Sequence, residues 1–427
     1  MVTVANIYLW NEYVGAALWN EALGYASFEF DTSFLKNGWD VSPIYMPISN
    51  PQIFTFPSLA RTSFHGLPGL LADSLPDAYG RALLDRWLAS QGRQEANLIE
   101  RLCYQGKRGM GALEFEPSND ALLERSSAVE IKGLVDIARK MMEDKALLNV
   151  SLDKNEEKAL LSIIRVGTSA GGARAKAVIA YNDTTKEVRS GQIDAPAGFE
   201  HWLLKLDGIT NETLGDPMHY GRIEYIYYLM ARMAGIEMME SRLFEENGRA
   251  HFMTKRFDRI NGNEKVHVQT LCGMAHYDFQ LLHVFSYEQL FQVMRRLRLP
   301  YSDAEQMYRR MVFNVIARNQ DDHTKNFAFL MDKMGKWSMA PAYDVTWAYN
   351  PTGEWTQHHQ MSINGKWDDY SQQDLLKFAA SMSIKKPKEI IEQMSNVVSQ
   401  WDTLAKENGL PNDQIKAISS THCLKLP

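Results

Sequence analysis

The chain has 427 residues, of which 45% are hydrophobic, 23% charged and 11% aromatic. These proportions are close to those of soluble globular proteins, so they exclude extended disorder, and the length predicts more than one domain at roughly 100 to 200 residues each. The net charge of −6, from 46 Lys and Arg against 52 Asp and Glu, excludes a global positive field that attracts nucleic acid or anionic lipid.

The cysteines and the hydropathy pattern indicate the compartment. Cys103, Cys272 and Cys423 are too few and too far apart for a disulfide framework or a Cys-rich zinc site. The amino terminus has no basic segment leading into an apolar run, and no stretch of about 20 uncharged apolar residues occurs. We therefore expect a cytoplasmic protein that does not bind membranes.

The first part of the chain mixes two hydrophobic periods. Short alternating apolar bursts between Thr3 and Pro47, including one at Ile44 and Met46, predict antiparallel strands. A 3.6-residue period predicts a helix over residues 70–88. Residues 1–120 are therefore predicted to form a small α+β domain.

The middle part, residues 121–260, is predicted to be a strand-rich lobe that holds one prominent helix. Its predicted elements are a helical segment 126–164, a glycine-rich loop 167–172, strands 175–181 and 201–206, a helix capped by Asp216 and ended by Gly235, and a hairpin about Asn247-Gly248.

The last part, residues 261–427, is mainly helical. Ser302 and Glu305 have the spacing of a capping box, which predicts a helix that ends near Arg318. A polar loop, residues 319–326, then leads into a predicted β-hairpin that ends at Asp344. Residues 370–427 are again predicted to be helical.

The polar loop and the hairpin contain the residues most typical of phosphoryl transfer. Asn326 follows Asp321 after four residues, and Asp344 follows the hairpin. Kinases need this set, an Asp that orients and deprotonates the acceptor hydroxyl and two oxygen ligands for magnesium. Asp322 competes for the role of base, but Asp321 alone has the four-residue gap. The alternative is a polar turn whose side chains satisfy local backbone groups.

Lys205 is a single cation in an otherwise apolar strand, where an unpaired ammonium is costly to bury. Nucleotide phosphates are suitable partners, and Glu224 on the next helix is a second candidate. The alternatives are an edge-strand lysine in solvent and a surface glutamate.

Three further segments leave alternatives open. The loop 167–172 has glycines for cradling phosphates but matches no phosphate-binding motif, so it is also consistent with a flexible turn. The segment from Lys255 to Asp258 lies at the end of the predicted hairpin, where a kinase hinge contacts adenine. The alternative is that its bulky apolar residue belongs to the core. His323 could be a metal ligand or a general base, but no second His or Cys lies at ligand spacing nearby, so we favour a structural or loop-orienting role. His358-His359 is predicted to be a solvated pair.

Taken together, these segments resemble the HipA family of bacterial serine/threonine kinases, the toxin half of HipBA-type toxin–antitoxin pairs. The resemblance depends on Gly171-Gly-Ala-Arg-Ala-Lys176, Trp202-Leu-Leu-Lys-Leu206, Arg256-Phe-Asp-Arg259, Val268-Gln-Thr270, Asp321-Asp-His-Thr-Lys-Asn326, Pro341-Ala-Tyr-Asp344 and Met361-Ser-Ile-Asn-Gly-Lys366. In the amino-terminal part, Gly109-Met-Gly-Ala-Leu-Glu-Phe-Glu-Pro117 is similar to that family's first domain.

The resemblance implies an α+β, protein-kinase-like two-lobed fold with an added small N-terminal α+β subdomain and an all-α C-terminal region. It implies domains at 1–120, 121–260 (the nucleotide-binding lobe) and 261–427 (the lobe with the catalytic loop and metal site). Asp321 would be the catalytic base, and Asn326 and Asp344 would bind Mg²⁺. The implied ATP-binding residues are Lys205, Ser169, Ala170, Gly171, Lys255, Phe257, Asp258, Glu224, His323 and Lys325. Ser169 falls on the serine that members autophosphorylate.

The resemblance also implies partners. They are a small HipB-like helix-turn-helix antitoxin, which would supply most contacts to operator DNA, and a protein substrate such as an aminoacyl-tRNA synthetase. Two alternative functions are a small-molecule kinase and a co-repressor that binds the antitoxin without essential catalysis.

Overall fold

The computed structural model describes residues 2–93, 96–118, 175–207, 219–246 and 248–427. Contacts divide the chain into two compact units. The first comprises Met1–Met218, Arg242–Val268 and Asp332–Gly335, and the second comprises His219–Ser241, Gln269–Met331 and Lys336–Pro427. The segment 219–241, assigned above to the middle lobe, therefore folds with the second unit.

The amino-terminal part of the first unit is built on an antiparallel sheet. Its strands lie in the order Phe54–Thr55, Tyr25–Phe30, Glu12–Asn20, Val4–Leu9 and Leu113–Glu116. Ala5, Ile7 and Leu9 are fully buried, which is the alternation that predicts a strand with one buried face. The burst at Ile44 and Met46 is buried, but it lies in turns and bends rather than in a strand.

Four helices accompany this sheet: Arg61–Phe64, Gly69–Ala72, Ala78–Ser90 and Leu98–Gln105. The helix predicted over residues 70–88 is thus interrupted. Pro76 disfavours helical geometry in the residue before it, and Asp77 begins a new helix by accepting a 2.7 Å hydrogen bond from the Gly80 N–H.

A second sheet in the first unit has five strands. Their order is Val188–Ser190, Lys176–Tyr181, Glu200–Lys205, Arg249–Lys255 and Ser241–Glu246. The strands predicted at 175–181 and 201–206 and the hairpin about residues 247–248 are confirmed. Two short strands, Arg259–Ile260 and Glu264–Lys265, follow as a hairpin. The predicted helical segment 126–164, the loop 167–172 and the predicted cap Asp216 lie outside the described residues.

The second unit is mainly helical. Its helices are Tyr220–Met233, Leu271–Ala275, Tyr287–Arg296, Tyr301–Ile316, Gln372–Ser381, Pro387–Val398, Trp401–Glu407 and Asn412–Ser419. The Tyr220–Met233 helix buries Tyr227, whose ring contacts Phe313, Trp401 and His422. Short strands lie at His267–Thr270, Phe285–Ser286, Ala328–Met331, Trp337–Met339 and Met361–Ser362.

The predicted capping box at Ser302 and Glu305 is wrong. The helix begins two residues earlier than predicted, at Tyr301, with Pro300 rather than Ser302 at the cap position and no side-chain cap. Ser302 therefore lies inside the first turn, where its hydroxyl bonds to Asp303. Capping boxes form instead at Ser286 with Gln289 and at Ser371 with Asp374.

Among the residues that the structure describes, no helix combines the length and apolar character that crossing a bilayer requires.

Candidate active site

The polar loop 319–326 begins where the Tyr301–Ile316 helix ends. Arg318 takes a left-handed conformation (φ 55°) that turns the chain out of the helix. Asn319 then pairs in parallel with Ala348, through bonds from the Gln320 N–H to the Ala348 carbonyl (3.0 Å) and from the Ala348 N–H to the Arg318 carbonyl (3.1 Å). The start of the loop is therefore tied by backbone bonds to the segment that follows Asp344.

The end of the loop is a 3₁₀ turn at Thr324–Asn326. His323 caps it, because its Nδ1 accepts the Lys325 N–H at 3.2 Å. The Asn326 side chain reaches back and donates through Nδ2 to the Asp321 carbonyl oxygen at 2.7 Å. Lys325 lies over the Phe279 ring, 4.5 Å from its centroid. The loop is thus closed on itself, and His323 caps its 3₁₀ turn; an ATP contact for His323 remains a prediction.

The two adjacent aspartates have opposite environments. The side chain of Asp321 is 44% exposed, whereas that of Asp322 is fully buried. Asp322 accepts hydrogen bonds from the Tyr287 hydroxyl, from His359 Nδ1 and from the Gln360 N–H. Because these donors occupy the Asp322 carboxylate, Asp321 is the more accessible of the two adjacent aspartates.

Asp344 reaches the same cleft from the hairpin. The strands Ala328–Met331 and Trp337–Met339 pair in antiparallel, and the Tyr343 hydroxyl then donates to the Lys325 carbonyl at 2.6 Å. Asp344 itself has a left-handed backbone (φ 56°). A non-glycine residue in this conformation is strained and is often found at functional sites.

One small cleft of the second unit unites the three residues predicted for catalysis and metal binding. Asp321, Asn326 and Asp344 line it, together with Arg310, Asn314, Asn319, Asp322, Phe327, Ala342, Tyr343 and Val345. Asn326 and Asp344 supply hard oxygen donors, and the Nδ2 bond of Asn326 directs its Oδ1 away from Asp321. Described residues form no cluster of three or more His, Cys, Asp or Glu side chains able to hold a metal. Two donors suit Mg²⁺, which is usually bound by one or two protein ligands plus phosphates and water.

Lys205 lies on a central strand of the second sheet, so the edge-strand alternative is wrong. It pairs in register with Lys176 on one side and with Phe252 on the other. Directly paired residues point to the same face, so two lysines lie side by side there. Lys176 is buried and lies 3.7 Å from the Asp77 carboxylate. Lys176 therefore has an anionic partner within the protein, and a phosphate contact for Lys205 remains a prediction.

The segment after the Arg249–Lys255 strand has an unusual burial pattern. Arg256 and Asp258 are buried, whereas the apolar Phe257 between them is partly exposed. An adenine contact for Phe257 remains a prediction. Lys255 pairs in register with Trp202, three residues from Lys205, so its side chain lies on the opposite face and forms an ion pair with Glu200.

Asp258 belongs to a buried ion cluster. Its carboxylate contacts the guanidinium groups of Arg256 (2.6 Å) and Arg259 (2.9 Å) and accepts the Gly111 N–H at 2.6 Å. Burial alone raises the pKa of Asp258, but the charges of the two arginines and the hydrogen bonds hold that pKa well below its ordinary value. These contacts give Asp258 a structural role; an ATP contact for it remains a prediction.

The remaining predicted residues have mixed outcomes. Glu224 is 2% exposed, so the surface alternative is wrong, while its pairing with Lys205 remains a prediction. His359 is buried, so the solvated-pair prediction is wrong for it, whereas His358 is 42% exposed. Ser169, Ala170 and Gly171 lie outside the described residues. Lys176, Tyr287 and Asn314 were not selected from the sequence, although Lys176 lies within a quoted motif.

Comparison with known proteins agrees with this organisation. Residues 5–116 match the family model of the HipA N-terminal domain, and residues 168–401 match that of the HipA-like C-terminal domain. The chain therefore belongs to the HipA family.

Two similar proteins extend this comparison. The HipA chain in a Shewanella oneidensis MR-1 structure of HipA, HipB and operator DNA has a TM-score of 0.68 and 17% identity, covering 97% of this chain and 95% of that one. The predicted α+β, HipA-type fold is thereby confirmed. A Sinorhizobium fredii protein named "Putative kinase Y4mE" is 25% identical over 125 residues, 27% of this chain and 30% of that protein. The match therefore spans less than a third of that relative's length.

Proposed function

We propose that this protein is an ATP- and Mg²⁺-dependent serine/threonine protein kinase of HipA type. The observation that carries the proposal is the single cleft that holds Asp321, Asn326 and Asp344, with Asn326 bonded to the Asp321 backbone. This is the residue set that phosphoryl transfer requires, and it comes from two chain segments that sequence spacing alone does not bring together.

In this proposal each residue has one task. The Asp321 carboxylate orients the acceptor hydroxyl and takes its proton as the oxygen attacks the γ-phosphorus, while the bond to the departing ADP oxygen breaks. Asn326 Oδ1 and the Asp344 carboxylate hold Mg²⁺, which neutralises phosphate charge when it is bound. Lys205 contacts phosphate oxygens, and Phe257 contacts the adenine.

Ser169 is proposed as a site of autophosphorylation. A phosphoserine adds roughly −1.5 to −2 charge near pH 7, which repels ATP phosphates from the same loop. We expect phosphate on Ser169 after incubation with ATP, together with weaker nucleotide binding. Mass spectrometry that always finds Ser169 unmodified in an active kinase would remove this part of the proposal.

The proposed biological role is that of a toxin in a toxin–antitoxin pair. The family membership of the chain and its similarity to a HipA solved with HipB and operator DNA support this role. The proposed antitoxin is a HipB-like helix-turn-helix protein that carries most DNA contacts. The proposed substrate is a translation-related protein such as an aminoacyl-tRNA synthetase.

The test is incubation of the purified protein with labelled ATP and Mg²⁺, alone and with a cell lysate. We expect labelled protein from wild type and a loss of about 10²- to 10⁴-fold for Asp321→Asn, the usual contribution of a general base. Asp402→Asn, at an exposed helix position, is the matched control. Equal labelling by wild type and Asp321→Asn would overturn the proposal, and label confined to a metabolite would redirect it to a small-molecule kinase.

A further inference from the structure

Asp322 is a buried carboxylate with three donors directed at it. The Tyr287 hydroxyl and His359 Nδ1 donate to its Oδ2, each at 2.8 Å, and the Gln360 N–H donates to its Oδ1 at 2.7 Å. Burying a carboxylate is costly unless such bonds replace its water. The peptide that joins Asp322 to Asp321 is therefore held firmly on one side.

The bonds continue to the other side of Asp321. The Tyr287 hydroxyl accepts the Asn314 side-chain N–H at 3.1 Å, and Asn314 Oδ1 accepts the Asn319 side-chain N–H at 2.9 Å. Burial, and then the Asp322 charge, raise the pKa of Tyr287 well above its ordinary value, so its hydroxyl keeps the proton it donates. The buried network thus holds Asn319 and Asp322, the residues two before and one after Asp321.

His359 joins this network from a distant part of the sequence. Its side chain is 1% exposed, and its ring packs against Tyr370. Nδ1 bonds to Asp322, whereas Nε2 is buried and has no hydrogen-bond partner among the described residues. In the described structure the ring therefore acts on the loop through one donor atom.

We propose that His359 is a positioning residue for Asp321: its Nδ1 donor fixes Asp322, and Asp322 fixes the peptide that aims the Asp321 carboxylate into the cleft. This inference rests on the proposed kinase function. Catalytic groups must be held to within roughly 0.5 Å, and a displacement of about 1 Å costs on the order of 10²-fold in rate. A loss of positioning lowers kcat and leaves ATP binding in place.

The single donor allows a stereochemically matched test. The side-chain nitrogen of asparagine is bonded to Cγ, as Nδ1 of histidine is, so His359→Asn retains a donor at that place. His359→Gln moves its amide outward towards the Nε2 position, and His359→Ala removes the donor. His358→Ala, at the exposed neighbour, is the control for the segment.

The measurements are kcat and KM for ATP at saturating Mg²⁺, with a thermal melt for each variant. We expect His359→Ala and His359→Gln to lose about 10- to 10²-fold in kcat with KM for ATP within about threefold of wild type. His359→Asn should recover most of that loss, and His358→Ala should match wild type.

Several results would overturn the inference. These are a wild-type kcat for His359→Ala, equal losses in folded His359→Asn and His359→Gln, or a loss seen only in KM for ATP. If His359→Ala fails to fold, the comparison of Asn with Gln still decides. Full activity in His359→Ala alongside an inactive Asp321→Asn refutes the positioning role alone, whereas equal labelling by wild type and Asp321→Asn refutes the kinase function itself.

Discussion

The side-chain amide of Asn326 donates a 2.7 Å hydrogen bond to the backbone carbonyl of Asp321. This bond links the proposed Mg²⁺ ligand to the proposed catalytic base, so the two positions cannot shift independently. The bond depends on the four-residue spacing, because the 3₁₀ turn at Thr324–Asn326 returns the Asn326 amide to the Asp321 carbonyl.

The first prediction separates the two tasks of Asn326. Asn326→Asp keeps an oxygen ligand but loses the donor to the Asp321 carbonyl, whereas Asn326→Ala loses both. We expect Asn326→Asp to retain near-wild-type half-saturation by Mg²⁺ with a lower kcat. For Asn326→Ala the Mg²⁺ requirement should rise about tenfold or more, because the variant loses one of the two proposed protein ligands of the ion. Kinase assays over a Mg²⁺ titration check this, and an unchanged requirement in Asn326→Ala would contradict the ligand role.

The second prediction concerns the strained backbone of Asp344. Asp344→Gly and Asp344→Ala both remove the carboxylate, so both should abolish Mg²⁺-dependent activity. Glycine accepts the observed φ of 56° without strain, whereas alanine does not. Asp344→Gly should therefore be more stable than Asp344→Ala by about 1 kcal/mol. Thermal melts of both variants measure this, and a less stable glycine variant would argue against strain at this position.

The third prediction concerns the buried cluster of Arg256, Asp258 and Arg259. Asp258→Ala leaves two buried guanidinium groups without their carboxylate and should destabilise the first unit by about 3–5 kcal/mol. Asp183→Ala, which removes an exposed carboxylate bonded to Arg242, is the control and should change stability little, because exposed ion pairs contribute little. Denaturant unfolding measures both changes, and comparable small losses would show that the cluster contributes little.

The fourth prediction concerns pH. Burial lowers the pKa of His267 to about 4, although a contact with the Val41 carbonyl opposes the shift. The unfolded chain takes up this proton near pH 6.5 and the folded chain only near 4. Stability from this residue is therefore complete above about pH 6.5 and falls as the pH drops towards 4, by about 3 kcal/mol in total.

The measurement for His267 is the melting temperature at several values between pH 7.5 and 4.5. His267→Gln should show a smaller decrease across this range than wild type, since glutamine does not titrate. His358→Gln, at an exposed histidine, should follow wild type. A decrease in His267→Gln equal to that of wild type would show that other groups cause it.

Hydrophobic periodicity and residue spacing along the sequence predicted many of the elements and candidate residues. Apolar alternation predicts the strand near Ile7, because a half-buried strand needs a period of two. The gap between Asp321 and Asn326 marks the loop, and the hairpin before Asp344 marks that residue as the second proposed metal ligand. The capping box at Ser302 failed because Pro300 starts the helix earlier, a competition that spacing alone does not resolve.

Tertiary structure decided the environment of each side chain. Asp321 and Asp322 are chemically identical neighbours, and only the fold distinguishes the exposed Asp321 from the buried Asp322, which accepts bonds from Tyr287, His359 and Gln360. His359 lies 37 residues from Asp322, so no local period marks it. The sequence by itself determined the elements and the residue types of the loop, because these depend on neighbours along the chain. Burial and hydrogen-bond partners depend on segments that meet only in the folded protein, and they alone determine the orientation of each carboxylate.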